Sequence, residues 1–81
     1  LTEITVYIKP DCKQCDLTKA LLDRLDIQYD TADIYQHLDH ITGLGFRSAP
    51  VVETPTGAWA GFRPDLINTL TNRINEGETN G

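Results

Sequence analysis

Residues 3–15, EITVYIKPDCKQC, restrict the possible folds of this chain more than any other stretch. The first six of them are β-branched or aromatic almost throughout, which reads as a buried strand. Pro10 ends it. From Lys13 onward Leu17, Ala20, Leu21 and Leu25 recur at helical spacing, with Asp16, Lys19, Asp23 and Arg24 mostly around the other side. Asp11 stands where a helix N-cap is expected. A strand therefore runs through a tight turn into a helix, and both cysteines of the chain, Cys12 and Cys15, lie at the start of that helix.

Two cysteines that close can lock a turn, hold a metal or carry electrons. A purely structural disulfide here would close only a tiny loop, and the stabilisation from a disulfide falls as its loop shortens. Small secreted domains also carry several disulfides rather than one. A metal reading needs more ligands, and His37 and His40 supply a second pair, giving C-x₂-C followed by H-x₂-H. Four N and S ligands suit zinc. The pairs are separated by residues 16–36, a gap of 21, beyond the finger range of about 12 to 15. Two solvent-facing histidines on a helix are the preferred reading of that pattern.

The redox reading has a direct physical basis. C-x-x-C beside a βαβ pattern is a dithiol signature. Free N–H groups at a helix start, together with the helix dipole, favour the thiolate of Cys12 over its thiol. An unperturbed cysteine ionises near pH 8.5, so about 3% is thiolate at pH 7, and a shift to about 7 makes half of it reactive. Lys13 adds to that stabilisation and Asp11 opposes it. Cys15, one turn further in, is close enough to attack a mixed disulfide formed at Cys12, as dithiol exchange requires.

The remaining sequence completes a small α/β pattern. Residues 26–34, DIQYDTADI, read as a second strand, and residues 35–44 as a short amphipathic helix ended near Gly43 or Gly45. APVVET from Ala49 gives a third strand beginning at Pro50, with Thr56-Gly57 as a hairpin turn into AWAG. The last helix opens with Pro64 and Asp65, both favoured in a first turn. Its Leu66, Ile67, Leu70 and Ile74 form an apolar face. A helix joining the first two strands implies a parallel pair with a right-handed crossover. The expected fold is thus thioredoxin-like α/β, a four-stranded mixed sheet with three helices. One domain over residues 1–76 is expected, with 77–81 as a flexible tail.

Composition narrows the functional classes. Seven basic residues against twelve acidic ones give a net charge of −5, and the basic ones are scattered. That argues against binding a phosphate backbone, which needs clustered Lys and Arg. No apolar run approaches the roughly 20 residues of a membrane span, and no basic-then-apolar leader opens the chain. The expected setting is the reducing cytoplasm, with the protein a monomer.

YIKPDCKQC, GFRSAPVVE and WAGFRPDLI together resemble the NrdH-redoxins, glutaredoxin-like members of the thioredoxin superfamily. The resemblance covers the chain up to about Leu70, and C-x-Q-C combined with A-P-V-V and W-x-G-F-R-P-D is highly specific. It implies Cys12 as nucleophile, Cys15 as resolving thiol and Pro50 as a cis-proline beside them, with a redox-active Cys12–Cys15 disulfide and no bound cofactor or metal. It also implies electron donation to class Ib ribonucleotide reductase and rereduction by thioredoxin reductase rather than by glutathione. Lys13, Ala49, Val51, Trp59, Phe62 and Arg63 are the partner-facing candidates. Among them Phe62 also reads as packing, and Arg63 as a tie between the last helix and a neighbouring turn. Arg47, beside the Ser-Ala-Pro loop, could meet an acidic partner. Lys9 occupies the position at which glutaredoxins contact glutathione, but Phe62-Arg63-Pro64 stands where their acidic pair would be. Two positions depart from the family pattern: Lys13 replaces a commoner apolar residue, and Ala60 the usual serine. The rival readings are a glutathione-dependent glutaredoxin and a zinc-binding or protein-binding adaptor of the same fold.

Overall fold

The computed structural model describes residues 3–71. The expected Ile74, the domain end at 76 and the tail at 77–81 lie outside them. β1 is Thr5–Ile8, α1 Lys13–Arg24, β2 Asp30–Asp33, α2 Leu38–Gly43, β3 Val51–Thr54 and β4 Gly57–Ala60. Residues 64–71 are helical and are called α3. The strands form one sheet in the order β2-β1-β3-β4. β1 pairs parallel with β2 and antiparallel with β3, and β3 pairs antiparallel with β4. The four-stranded mixed sheet with three helices expected from the sequence is what forms.

Alternation along β1 builds both layers, because successive side chains on a strand point to opposite faces. Val6 faces one side and meets Leu22 of α1, Ile67 and Leu70 of α3, and Val52, its cross-strand partner. Tyr7 faces the other side and packs with Val51, Ile34 and Ile41 of α2. A central strand buried on both faces must be apolar throughout, as VYI is.

The buried face of α1 is not the one that its leucines suggest. Cys15, Thr18 and Leu22 are buried, at spacing i, i+3, i+7. Leu21 and Leu25 only flank the core, Ala20 is exposed, and Leu17 is 47% exposed. Anchoring the first turn at the cysteines rotates the helix, so Leu17 lies on its outer side at about 100° per residue. The small side chains of Cys15 and Thr18 fit beneath α1.

α1 ends in an interlocked cap that the sequence does not advertise with glycine. Asp26 adopts φ +60°. Its N–H donates to Asp23 O at 3.1 Å, and the Ile27 N–H reaches back to Leu22 O at 2.9 Å. This is a Schellman cap with aspartate in the left-handed position. It consumes the first part of the expected second strand, so β2 starts only at Asp30. Tyr29 bridges back to α1 by donating to Asp23 Oδ1 at 2.9 Å. Burial, then that bond, push its phenol up to about 12.

The helix expected over 35–44 is broken in two. A short 3-10 turn, Ile34–Gln36, is capped by Asp33 Oδ1, which accepts from Tyr35 N–H. α2 follows after His37. Gly45, at φ +92°, closes α2 with a second Schellman cap, since Gly45 N–H reaches Thr42 O and Phe46 N–H reaches Ile41 O. The hairpin turn is Pro55-Thr56 rather than Thr56-Gly57, because Gly57 already pairs with Thr54. Thr54 Oγ1 fixes it, donating to Gly57 O at 2.8 Å and accepting from Thr56 N–H at 3.2 Å.

α2 is also pinned to the sheet by a polar clasp. The Glu53 carboxylate of β3 accepts from Tyr7 OH at 3.0 Å and lies 2.9 Å from His40 Nε2. The ring of His37 meets Tyr7 edge-on. The His40 bond foremost, then that of Tyr7, hold the Glu53 carboxyl below its ordinary 4.5, against burial. A depressed folded-state pKa contributes stability that is present above the unfolded value and lost as pH falls through the folded one. His40→Ala is therefore expected to cost about 0.5–1 kcal/mol near pH 6, as suits a partly exposed pair. The difference from the parent should shrink below pH 4.5, and urea titrations at pH 6 and pH 3.5 read it directly.

Candidate active site

The turn between β1 and α1 is built so that a sulfur takes the place of a capping oxygen. Asp11 sits at φ +54° and does not cap the helix. The N-cap is Cys12, in extended conformation, whose Sγ accepts from the Cys15 N–H at 3.1 Å. The left-handed turn at Asp11 puts Cys12 one residue later into the capping position. The first backbone carbonyl bond, Asp16 N–H to Cys12 O, starts there as well. Cys12 and Cys15 are joined as a disulfide, their Cα atoms 5.2 Å apart.

Exposure separates the two cysteines only slightly. Cys12 is 9% exposed and Cys15 2%. Cys12 is still the more accessible, and it alone receives the helix-start N–H. Lys13 is exposed and faces solvent. Lys9, also exposed, borders a shallow depression of about 360 Å³ with Pro10, Ala32 and Asp33. Arg47 is exposed.

Pro50 is fully buried, and the Ala49–Pro50 peptide bond is cis. Its carbonyl accepts from Gly61 N–H at 2.8 Å. Gly61 has φ +85°, where a side chain is strained, and a Cβ there would lie 3.5 Å from Gln14 Oε1. The same Gln14 oxygen accepts from Phe62 N–H at 3.4 Å. Pro50, the Gly61-Phe62 segment and Gln14, between the two cysteines, are thus stitched into one surface. Sequence reading missed the part played by Gln14, although C-x-Q-C spelled out its position.

The other partner-facing candidates divide. Val51 is wholly buried beside Tyr7 and Ile41, so its side chain belongs to the core and not to a docking surface. Alternation makes this inevitable once β3 is central. Ala49 is half-buried against the same cluster. Trp59, opposite Val52, is half-buried on the α1–α3 side, with its Nε1 enclosed and without a partner among the described residues. Phe62 packs there too. Arg63 does not reach a neighbouring turn. It pairs with Asp65 two residues on, Nε to Oδ1 at 3.2 Å and Nη2 to Oδ2 at 3.0 Å, while its carbonyl accepts from Leu66 and Ile67 at the start of α3.

His37 and His40 lie on the α2 side of the sheet, against Tyr7 and Glu53, across from α1. The two cysteines and two histidines do not converge, and no group of three or more His, Cys, Asp or Glu among the described residues is placed to hold a metal. No helix among those residues is long and apolar enough to cross a membrane.

The glutaredoxin family pattern matches residues 4–54 of this chain. The glutaredoxin-like protein NrdH of Escherichia coli K12 is 34% identical over 70 residues, covering 83% of this chain and 86% of that one. Its counterpart in Lactococcus lactis subsp. lactis is 36% identical over 70 residues, covering 83% and 97%. Among solved structures, the NrdH-redoxin of E. coli superposes with a TM-score of 0.78 at 34% identity, over 83% of this chain and 92% of that one. That protein is described as a glutaredoxin-like protein with a thioredoxin-like activity profile.

Proposed function

Because this chain belongs to the glutaredoxin family, among its NrdH-type members, we propose that it is an electron carrier that reduces a ribonucleotide reductase of class Ib and is itself recharged by thioredoxin reductase. The activity class is that of its relatives, a thiol–disulfide oxidoreductase with a redox-active cysteine pair. In the proposed cycle the Cys12 thiolate attacks a substrate disulfide and expels one substrate thiolate. Cys15 then loses its proton and attacks the Cys12 sulfur, expelling the second. The substrate gains two electrons, and this chain is left with the Cys12–Cys15 bond. A reductase dithiol reverses those steps.

The observation that carries this reading is the Cys15 N–H aimed at the Cys12 sulfur of a helix N-cap. That donor stabilises charge on Cys12 in either exchange step, while Cys15 waits beneath it. Thioredoxin reductase is favoured over glutathione as electron source on two grounds. A small charged tripeptide needs several well-placed polar contacts. Lys9 is exposed near the turn, but Arg63, a cation already paired with Asp65, occupies the region where an acidic pair would be needed. The thioredoxin-like profile described for the E. coli relative points the same way.

Thioredoxin reductase with NADPH is therefore expected to recycle this protein much faster than glutathione with glutathione reductase. NADPH oxidation in the two coupled systems compares them. Equal or faster turnover with glutathione would make the protein a glutaredoxin in function.

A further inference from the structure

We propose that Gln14 is a positioning residue that holds the Gly61-Phe62 loop in register over the cysteine turn, and so sets how a protein disulfide docks on Cys12. The proposal rests on protein disulfides being the substrates, as the functional reading holds.

Of the two residues between the cysteines, Lys13 makes no side-chain hydrogen bond or ion pair within the described residues. Gln14 instead crosses 48 positions of sequence to accept from the Phe62 N–H. That amide belongs to a connection between β4 and α3 with few backbone bonds of its own. Gly61 N–H is taken by Pro50 O, and the next backbone bonds are those to the Arg63 carbonyl at the start of α3. Without Gln14 the exposed Phe62 amide turns to water, and the loop is held from the Pro50 side alone.

The geometry at Gly61 shows how closely the two segments are fitted. Its backbone occupies the left-handed region, and the Gln14 oxygen lies at ordinary contact distance from where a Cβ would stand. Glutamine suits this task. Its carbonyl is an uncharged acceptor on a two-carbon stem, and it leaves the thiolate of Cys12 free of a neighbouring negative charge. A tie between the reacting turn and an adjacent loop matters for a large substrate, which touches both at once. It matters little for a small disulfide that touches only sulfur.

The test compares Gln14→Leu, which keeps the bulk and removes the acceptor, with Gln14→Glu, which keeps an acceptor and adds charge. In Gln14→Leu, the KM for insulin in dithiothreitol-driven reduction should rise about fivefold, the worth of one ordinary hydrogen bond of about 1 kcal/mol. The rate at which the reduced protein attacks dithiobis-nitrobenzoate should stay within about twofold, since the reacting sulfur is not altered. The Phe62 amide should exchange faster with deuterium. Gln14→Glu should restore both the insulin KM and the Phe62 protection, while its charge moves the pH profile of Cys12 alkylation upward.

Equal losses toward insulin and the small disulfide, or an unchanged insulin KM in Gln14→Leu, would overturn the role assigned to Gln14. Wild-type protein that leaves insulin intact while still reducing the small disulfide would overturn the reading on which the proposal rests, and the proposal with it.

Discussion

Replacing Cys12 by serine is expected to abolish disulfide reduction, whereas Cys15→Ser still attacks its substrate and stops at a mixed disulfide. Both outcomes follow from the helix N-cap. Cys12 is the sulfur that receives an N–H and the more accessible of the two, so the first covalent bond to substrate forms there. A serine hydroxyl remains protonated at neutral pH and is a far weaker nucleophile than a thiolate. Cys15, 2% exposed, does not meet a protein substrate directly, but it is held within bonding distance of Cys12. Without it the intermediate has no internal thiol to release it. Incubating each variant with insulin, then separating adducts under non-reducing conditions and weighing them by mass spectrometry, distinguishes the two. Adducts formed by Cys12→Ser, and none by Cys15→Ser, would reverse the assignment of attacking and resolving thiol.

Leu22→Ala is expected to remove about 2–5 kcal/mol of stability, while Leu17→Ala, roughly 130° around the helix from the buried face at about 100° per residue, changes it by about 0.5 kcal/mol or less. Leu22 has no exposed surface and belongs to the layer containing Val6, Val52 and Ile67, and a close-packed layer relaxes only partly into the space left. A domain of this size has about 5–15 kcal/mol in total, so the first variant approaches the limit of folding. Near such stability each kcal/mol shifts the midpoint of thermal unfolding by about 4–8 °C. Leu17 is almost half exposed, and shortening it opens no cavity. Urea and thermal unfolding of both proteins, monitored through Trp59 and by circular dichroism, separate them. Similar losses at the two positions would mean that α1 is rotated relative to the arrangement described.

The order of elements, the parallel first pair, the antiparallel hairpin and the placement of both cysteines at a helix start were legible in the sequence. Each depends on interactions within a few residues. Alternation in VYI, proline after the strand, helical spacing after Lys13 and glycine past α2 are local signals with local causes. The same locality explains where reading stopped. Asp11 was the better capping residue by type, yet its left-handed backbone passes the position to Cys12. Asp26 ends α1 in a conformation for which glycine would have been the signal. Which face of α1 is buried depends on β1 and β3 beneath it, so propensity favoured four apolar side chains while packing chose Cys15, Thr18 and Leu22. Val51 became core because β3 lies between two strands. Most of all, the contact between Gln14 and Phe62 joins residues 48 positions apart. Composition, spacing and charge along the chain carry no record of such a pairing, because only the assembled sheet, with α1 and α3 on one face, brings those two segments together.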